Sequence, residues 1–335
     1  MAGAGQDEGI TYSMIDLRDE IRLGRGEVSS PAGGETLGGE TLGGETLGGE
    51  TLGGETLGGE TPPLQPHVTV LNPLTADRGH LRRTLLPSLL NTTRANLRFT
   101  DRVAIFEIGR VFIPRPEETL PAEPRRLAAV MVGPREASTW LGHDALPLGF
   151  FDIKGVAEAL VARLGLSDVR WERGEHPAMH PGRTARLLVG GTEIGLLGEL
   201  HPKVRAAFDL PDQPVMLLEL DLEALLAGWG TAASLEMAEL STQPPIFEDL
   251  ALLVDEAVPA AQVADLIRQA GGKLLVSVRL FDVYRGGQVP AGKKSLAYAL
   301  TYQAPDRTLT DEDTRKLRGK IVARLERELG AILRG

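Results

Sequence analysis

The sequence predicts an α+β fold in two parts: an antiparallel sheet carrying helices, followed by a βαββαβ domain of ferredoxin-like order. Three observations point there. Strand-like and helix-like segments alternate through residues 67–221 without the regular strand–helix–strand rhythm of a doubly wound parallel sheet. From residue 241 onward the pattern reads strand, helix, strand, strand, helix, strand. The chain has 335 residues, 42% of them hydrophobic, which suits about two cores.

The elements follow in order. Residues 10–15 (Ile-Thr-Tyr-Ser-Met-Ile) read as a short strand, and Asp16 is placed to cap a short helix containing Ile21. Residues 33–57 are five copies of Gly-Gly-Glu-Thr-Leu, and a sixth begins at Gly58 and breaks at Pro62. A period of five suits neither helix nor strand. Paired glycines make ordering costly, and one leucine per repeat builds little core. The expectation is a flexible acidic insertion over residues 33–61, with a short β-solenoid as the other reading. After it, residues 67–71 have strand character and Asn72-Pro73 is a turn signal. Residues 81–99 read as helix, with Leu85, Leu86, Leu89 and Leu90 at helical spacing. Residues 103–108 and 110–113 are strand-like about Gly109, and 127–132 is a further strand. Residues 155–164 fit a helix that Gly165 stops, and 184–189, 192–197 and 215–221 add strands.

In the second domain residues 246–254 form the first strand, and Pro259 suits a first helical turn. Val263, Leu266, Ile267 and Ala270 make one helical face that Gly271-Gly272 ends. Residues 274–285 and 294–303 are two strands joined by a Gly/Pro loop. Thr310 and Asp313 form a capping box for the last helix, whose stripe is Leu317, Ile321, Leu325 and Leu329. Residues 330–333 supply a final edge strand. The domains are therefore 1–32 with 62–235, interrupted by 33–61, and then 241–335.

Composition sets limits. The absence of cysteine removes disulfides, zinc–thiolate sites and cysteine nucleophiles. The polar start and the lack of a long apolar run predict neither signal peptide nor membrane span, so a cytoplasmic protein is expected. A net charge of -10 argues against nonspecific nucleic-acid binding by the whole chain, although the repeat supplies much of it.

Several chemical motifs fail on inspection. Gly287-Gln-Val-Pro-Ala-Gly292-Lys293 begins like a phosphate-binding P-loop. Its eighth position is Lys294 rather than Ser or Thr, and a strand follows instead of a helix. A basic hairpin loop is the better reading. His176 and His180 have the spacing of zinc ligands on a helix, but Pro177 and Pro181 oppose that helix. Locally hydrogen-bonded imidazoles in a loop are expected there. Asp152 and Lys154 read as a salt-bridged helix start rather than an acid–base pair. No catalytic constellation and no metal site emerge.

The basic stretch of the second domain is more informative. From Arg268 to Lys294 there are six Lys or Arg residues against one acid, Asp282. Strand alternation groups Val276, Val278 and Leu280 on one face, and Arg279, Phe281 and Arg285 on the other. In the next strand Leu296, Tyr298, Leu300 and Tyr302 oppose the small Ser295, Ala297, Ala299 and Thr301. A flat basic face with an aromatic suits single-stranded RNA; a solvated or covered sheet face is the other reading.

Many segments resemble one family in its own order. They are Asn72-Pro73-Leu74 with Leu81-Arg82-Arg83-Thr84-Leu85-Leu86-Pro87, Phe106-Glu107-Ile108-Gly109-Arg110-Val111-Phe112, and Phe151-Asp152-Ile153-Lys154-Gly155. His180-Pro181-Gly182-Arg183, Gly198-Glu199-Leu200-His201-Pro202 and Glu219-Leu220-Asp221 follow. The last are Leu280-Phe281-Asp282-Val283-Tyr284-Arg285-Gly286, Gly292-Lys293-Lys294-Ser295-Leu296 and Asp306-Arg307-Thr308-Leu309-Thr310. The sequence resembles the C-terminal part of bacterial phenylalanyl-tRNA synthetase β subunits. The resemblance implies a class II synthetase-like domain without its chemistry, then a ferredoxin-fold anticodon-binding domain. It implies a catalytic α subunit as partner in an (αβ)2 assembly, and tRNA(Phe) as the RNA. It implies no cofactor in this chain, with ATP and magnesium in the assembled enzyme. Arg279, Phe281, Arg285, Lys293, Lys294 and Arg307 are the expected RNA-binding residues. Where active class II strands carry Phe-Arg-x-Glu, this sequence has Phe106-Glu107-Ile108-Gly109, so the chain alone is expected to be non-catalytic. The family's usual Arg-Asp in the first strand of the anticodon domain is Glu248-Asp249, and the pentapeptide repeat is foreign to it. A stand-alone RNA-binding module without a ligase role and an active small-molecule ligase are the alternatives.

Overall fold

A computed structural model describes residues 7–24, 66–73, 75, 77–229 and 242–334. The repeat therefore lies outside the described residues. The chain divides into two compact units, Met1–Leu235 and Glu236–Gly335.

The first unit is built on a seven-stranded sheet. It holds β1 (Asp7–Glu8), β4 (Val103–Arg110), β5 (Arg125–Val132), β6 (Val169–Arg173), β7 (Met179–Val189), β8 (Thr192–Leu200) and β9 (Val215–Asp221). Their order is β1-β4-β5-β9-β8-β7-β6, antiparallel throughout except where β1 pairs with β4. A small ribbon joins β2 (Met14–Ile15) to β3 (His80–Leu81). Both faces of the central strands are buried, so β5 is almost continuously apolar instead of alternating. Leu127, Ala129 and Met131 pack beneath α3 (Phe150–Arg163) and α5 (Leu222–Trp229). Ala128, Val130 and Val132 pack with Leu86, Leu89 and Leu90 of α2 (Leu86–Asn96) and with Val204 of α4 (Pro202–Ala207).

Several boundaries differ from the sequence reading, each for a local reason. The helix expected from residue 81 starts at Leu86. The preceding N–H groups find acceptors outside any helix: Leu81 donates to Val68 O, Arg82 to Ser13 O, and Arg83 to Glu20 Oε1. The helix expected from residue 155 starts at Phe150, because Asp152 accepts the Gly149 N–H at 2.7 Å and caps it. Gly109 does not divide two strands; β4 runs through it. Of residues 10–15 only Met14 and Ile15 pair, and of residues 67–71 only Thr69 makes a bridge, to His80. The strand β6 and the helices α4 and α5 were not anticipated. Asp16 does cap α1 (Leu17–Arg22), accepting from the Arg18 N–H.

The second unit follows the βαββαβ order: β10 (Ile246–Asp255), α6 (Ala260–Gly271), β11 (Leu275–Tyr284), β12 (Lys293–Tyr302), α7 (Asp311–Leu329) and β13 (Ile332–Leu333). The sheet order is β11-β12-β10-β13, antiparallel at each pairing, and a 3-10 turn links α6 to β11. Thr310 and Asp313 form the expected capping box, and Gly330 ends α7 in the left-handed conformation. Val263, Leu266 and Ile267 of α6 and Ile321 and Leu325 of α7 pack on Leu250, Leu252, Val254, Leu296, Tyr298, Leu300 and Tyr302.

Candidate nucleic-acid interface

Both helices of the second unit lie on one face of its sheet. Alternation then sends the intervening residues to the opposite, open face. From β10 these are Phe247, Asp249, Ala251 and Leu253; from β12 they are Ser295, Ala297, Ala299 and Thr301. The register sets Phe247 against Thr301, Asp249 against Ala299, and Ala251 against Ala297.

Strand β11 is the edge strand, and two bulges break its pairing with β12. Val276 is the extra residue between Leu275 and Ser277, and Phe281 is the extra residue between Leu280 and Asp282. A bulge adds one residue and so reverses the phase beyond it. The unbroken alternation expected from sequence is thereby corrected. Val276 has no partner on β12, unlike Val278 and Leu280, and is exposed. Arg279, opposite Ala299, keeps the open face, and Phe281, the unpaired residue of the second bulge, is 48% exposed. Beyond the second bulge Asp282 and Tyr284 take that face, opposite Ala297 and Ser295, while Val283 opposes Leu296 on the covered one. Arg285 lies past the end of the strand and does not continue the Arg279 row.

The six residues expected to bind RNA therefore differ in their surroundings. Arg279 has no ion pair or hydrogen bond among the described residues. Arg285 forks onto Glu256, with Nη2 2.9 Å from Oε1, and holds that carboxyl below its ordinary pKa. Lys293 pairs with Asp255 at 2.8 Å. Lys294 is only 8% exposed; it lies on the covered face opposite Val254 and donates to the Glu256 carbonyl. Arg307 is tied to Asp313 at 2.7 Å, beside the start of α7.

The open face holds more than these. Phe247 is 75% exposed on it. The Arg334 guanidinium lies 5.6 Å from the Tyr284 ring centroid, so the side chain of a residue just past β13 meets a ring of β11. Gly286 leaves the room that the Tyr284 hydroxyl fills. Phe247 was readable in the sequence, since Leu250, Leu252 and Val254 fix the alternation of β10. Tyr284 was not, because nothing in the sequence marks the bulge. Glu248, in place of the family's arginine, sits on the helix side and pairs with Arg318 of α7 at 3.1 Å. That lost positive charge therefore does not belong to the open face. Among charged groups there, Arg279 faces Asp249 and Asp282, none with an ion-pair partner among the described residues. The face is nearly neutral, so stacking and hydrogen bonding outweigh phosphate capture on it.

The first unit uses its motifs differently. Arg82 and Glu107 form a buried ion pair at 2.9 Å, both side chains 3% exposed. Arg82 also donates to the Arg110 carbonyl at 3.0 Å, and Thr11 donates its hydroxyl to Glu107 at 2.6 Å. A side chain at Gly109 would collide with Arg82. Glu219 accepts from the Thr84 hydroxyl and from the Leu85 N–H. Glu107 is thus an engaged acceptor with no positive charge to offer a phosphate, and these residues do not fit an ATP site. Asp152 pairs with Arg135 and Lys154 with Glu158, both at the start of α3. His176 and His180 accept from the backbone of Ala178 and Gly182. Residues 287–293 connect two strands, which is not the strand-to-helix setting of a P-loop. Among the described residues no three His, Asp or Glu side chains are grouped to hold a metal. Among them, too, no helix is long and apolar enough to cross a membrane.

Comparison with known proteins agrees with this architecture. Residues 241–334 match the ferredoxin-fold anticodon binding domain, which sets the class of the second unit. Residues 1–222 match the phenylalanyl tRNA synthetase beta chain CLM domain, and the chain belongs to the phenylalanyl-tRNA synthetase β chain family. Phenylalanine–tRNA ligase beta subunits from Syntrophotalea carbinolica and Bacillus subtilis are 40% and 39% identical over 81% and 78% of this chain. The matches cover 34% and 32% of those proteins. The corresponding subunit from Listeria monocytogenes is 33% identical over 100% of this chain and 37% of its own length. The chain thus spans about a third of the length of the curated relatives it matches.

Proposed function

We propose that the chain is the β-subunit portion of a phenylalanine–tRNA ligase. In this reading residues 1–32 and 62–235 form a non-catalytic synthetase-like domain interrupted by the 33–61 insertion. That domain scaffolds the catalytic α subunit, and residues 241–335 bind the anticodon arm of tRNA(Phe). The attachment of phenylalanine then draws on ATP and magnesium in the assembled enzyme, in the cytoplasm. The observation that carries the reading is the open sheet face of a unit matching the anticodon-binding family, with exposed Phe281 beside unpaired Arg279. Phe281 offers a stacking surface to an unstacked anticodon base, and Arg279 a cation to phosphate or base. Lys293, Arg285 and Arg307 contribute at the rim by exchanging a carboxylate for phosphate. Lys294 acts by holding the hairpin to the Glu256 carbonyl.

The test is titration of the full chain with the anticodon stem-loop of tRNA(Phe) at several salt concentrations. Phe281→Ala is expected to weaken binding about tenfold, since base stacking is worth roughly 1–3 kcal/mol. The salt dependence is expected to be shallow, a slope near 0.7 for each phosphate neutralised. A stem-loop that does not bind at low salt removes the RNA-binding reading.

A further inference from the structure

We propose that Phe247 is a second stacking platform for single-stranded RNA, acting with Phe281 across the open face of the ferredoxin-like sheet. The inference rests on the RNA-binding reading above and adds to it a residue and a spacing. Phe247 is a large apolar side chain on a strand, yet it is 75% exposed and takes no part in the core beneath. Its cross-strand neighbour is Thr301, and Ser277 lies opposite Thr301 on β11. Phe281 projects from the bulge next to the Asp282–Ala297 pair. Between the two rings the floor is Ala297, Ala299 and Thr301, all short side chains. Such a floor lets bases and sugars approach the sheet while the aromatic rings stand above it.

The register gives the separation. Phe247 and Phe281 lie two strands apart and about four residues apart along β12. That is roughly 13 Å along the strands and roughly 10 Å across them, or about 16 Å on the diagonal. Stacked bases of one strand rise only about 3.4 Å. The two rings therefore cannot hold neighbouring stacked bases. They hold bases separated by a spacer, about five nucleotides along if the strand stays stacked and fewer if it is extended. Arg279, in the Ala299 row, lies between them and meets the spacer.

The experiment measures binding of the full chain to single-stranded oligoadenylates of increasing length, from two to about eight nucleotides, with the anticodon stem-loop alongside. A step of about tenfold or more in affinity is expected at the length that first reaches both rings. Phe247→Ala is expected to abolish the step, while Phe247→Trp retains it. Because Phe247 is exposed, the alanine variant is expected to keep the wild-type circular dichroism and melting temperature. If Phe247→Ala keeps the step while Phe281→Ala weakens binding at every length, the second platform is wrong and the RNA-binding reading stands. If the wild-type chain binds neither the oligoadenylates nor the stem-loop, both are wrong.

Discussion

Gly109 lacks a side chain because Arg82 fills the space that one would take. The same guanidinium neutralises Glu107 inside the protein, so two distant sequence motifs are halves of one buried contact. Breaking such a pair strands a charge and commonly costs several kcal/mol, which accounts for both motifs without any catalytic role. In the second unit Tyr302 is fully buried, and its hydroxyl has no partner among the described residues. Burial, helped by nearby Glu248, pushes its phenol pKa up to about 12. Burial raises the Tyr298 phenol as well, and that hydroxyl donates to the Ala260 carbonyl. The fold favours the neutral phenols, whereas unfolded tyrosine ionises near pH 10. The stabilisation from Tyr302 is complete below about pH 10 and is lost as pH rises from there through about 12. Urea unfolding at stepped alkaline pH is expected to show this loss in the second unit. Tyr302→Phe should make the loss shallower by about 2–3 kcal/mol while changing stability little at pH 7.

At the scale of elements, the ends of the chain flanking the repeat are fastened to each other. Glu20 of α1 contacts His67 and accepts the Arg83 N–H at 3.0 Å, and Arg83 donates to the Pro66 carbonyl. The chain therefore returns close to where it left, and the contacts that close this neck lie outside the repeat. Loop-closure entropy changes slowly with length, so removing residues 33–61 is expected to leave the first unit intact. Calorimetry of the deletion variant should show a melting temperature within about 5 °C of the full chain. A larger fall would mean that the repeat packs on the folded part. Strand β11 shows how an element can defeat alternation. One inserted residue at Phe281 moves Asp282 and Tyr284 onto the face that simple parity reserves for Phe281, Val283 and Arg285.

At the scale of the molecule, the two units treat their sheets differently. The first buries both faces of its sheet, and the residue standing where an ATP-gripping arginine would be is an engaged glutamate. The second leaves one sheet face uncovered by its own helices. The purified chain is therefore expected to catalyse no phenylalanine-dependent pyrophosphate exchange alone, and to sediment as a complex once a catalytic α subunit is added. Exchange by the chain free of α subunit would overturn the first expectation, and a chain that stays apart from excess α subunit would falsify the scaffold role.

The sequence by itself determined the fold class, the βαββαβ order of the second unit and the family. These follow from local periodicity, caps such as Asp16 and Thr310, and residue chemistry, all carried by neighbours in the chain. Tertiary structure alone decided where α2 begins, because the acceptors for Leu81, Arg82 and Arg83 come from residues 13, 20 and 68. It alone paired Arg82 with Glu107, and it alone showed which cations are already spoken for by carboxylates or carbonyls. The open face was half legible. Arg279 obeys parity, and Phe247 can be reached by counting from Leu250. Tyr284 and Arg334 depend on a bulge and on the pairing of the last strand with β10, and pairing between distant segments leaves no periodic mark in either one.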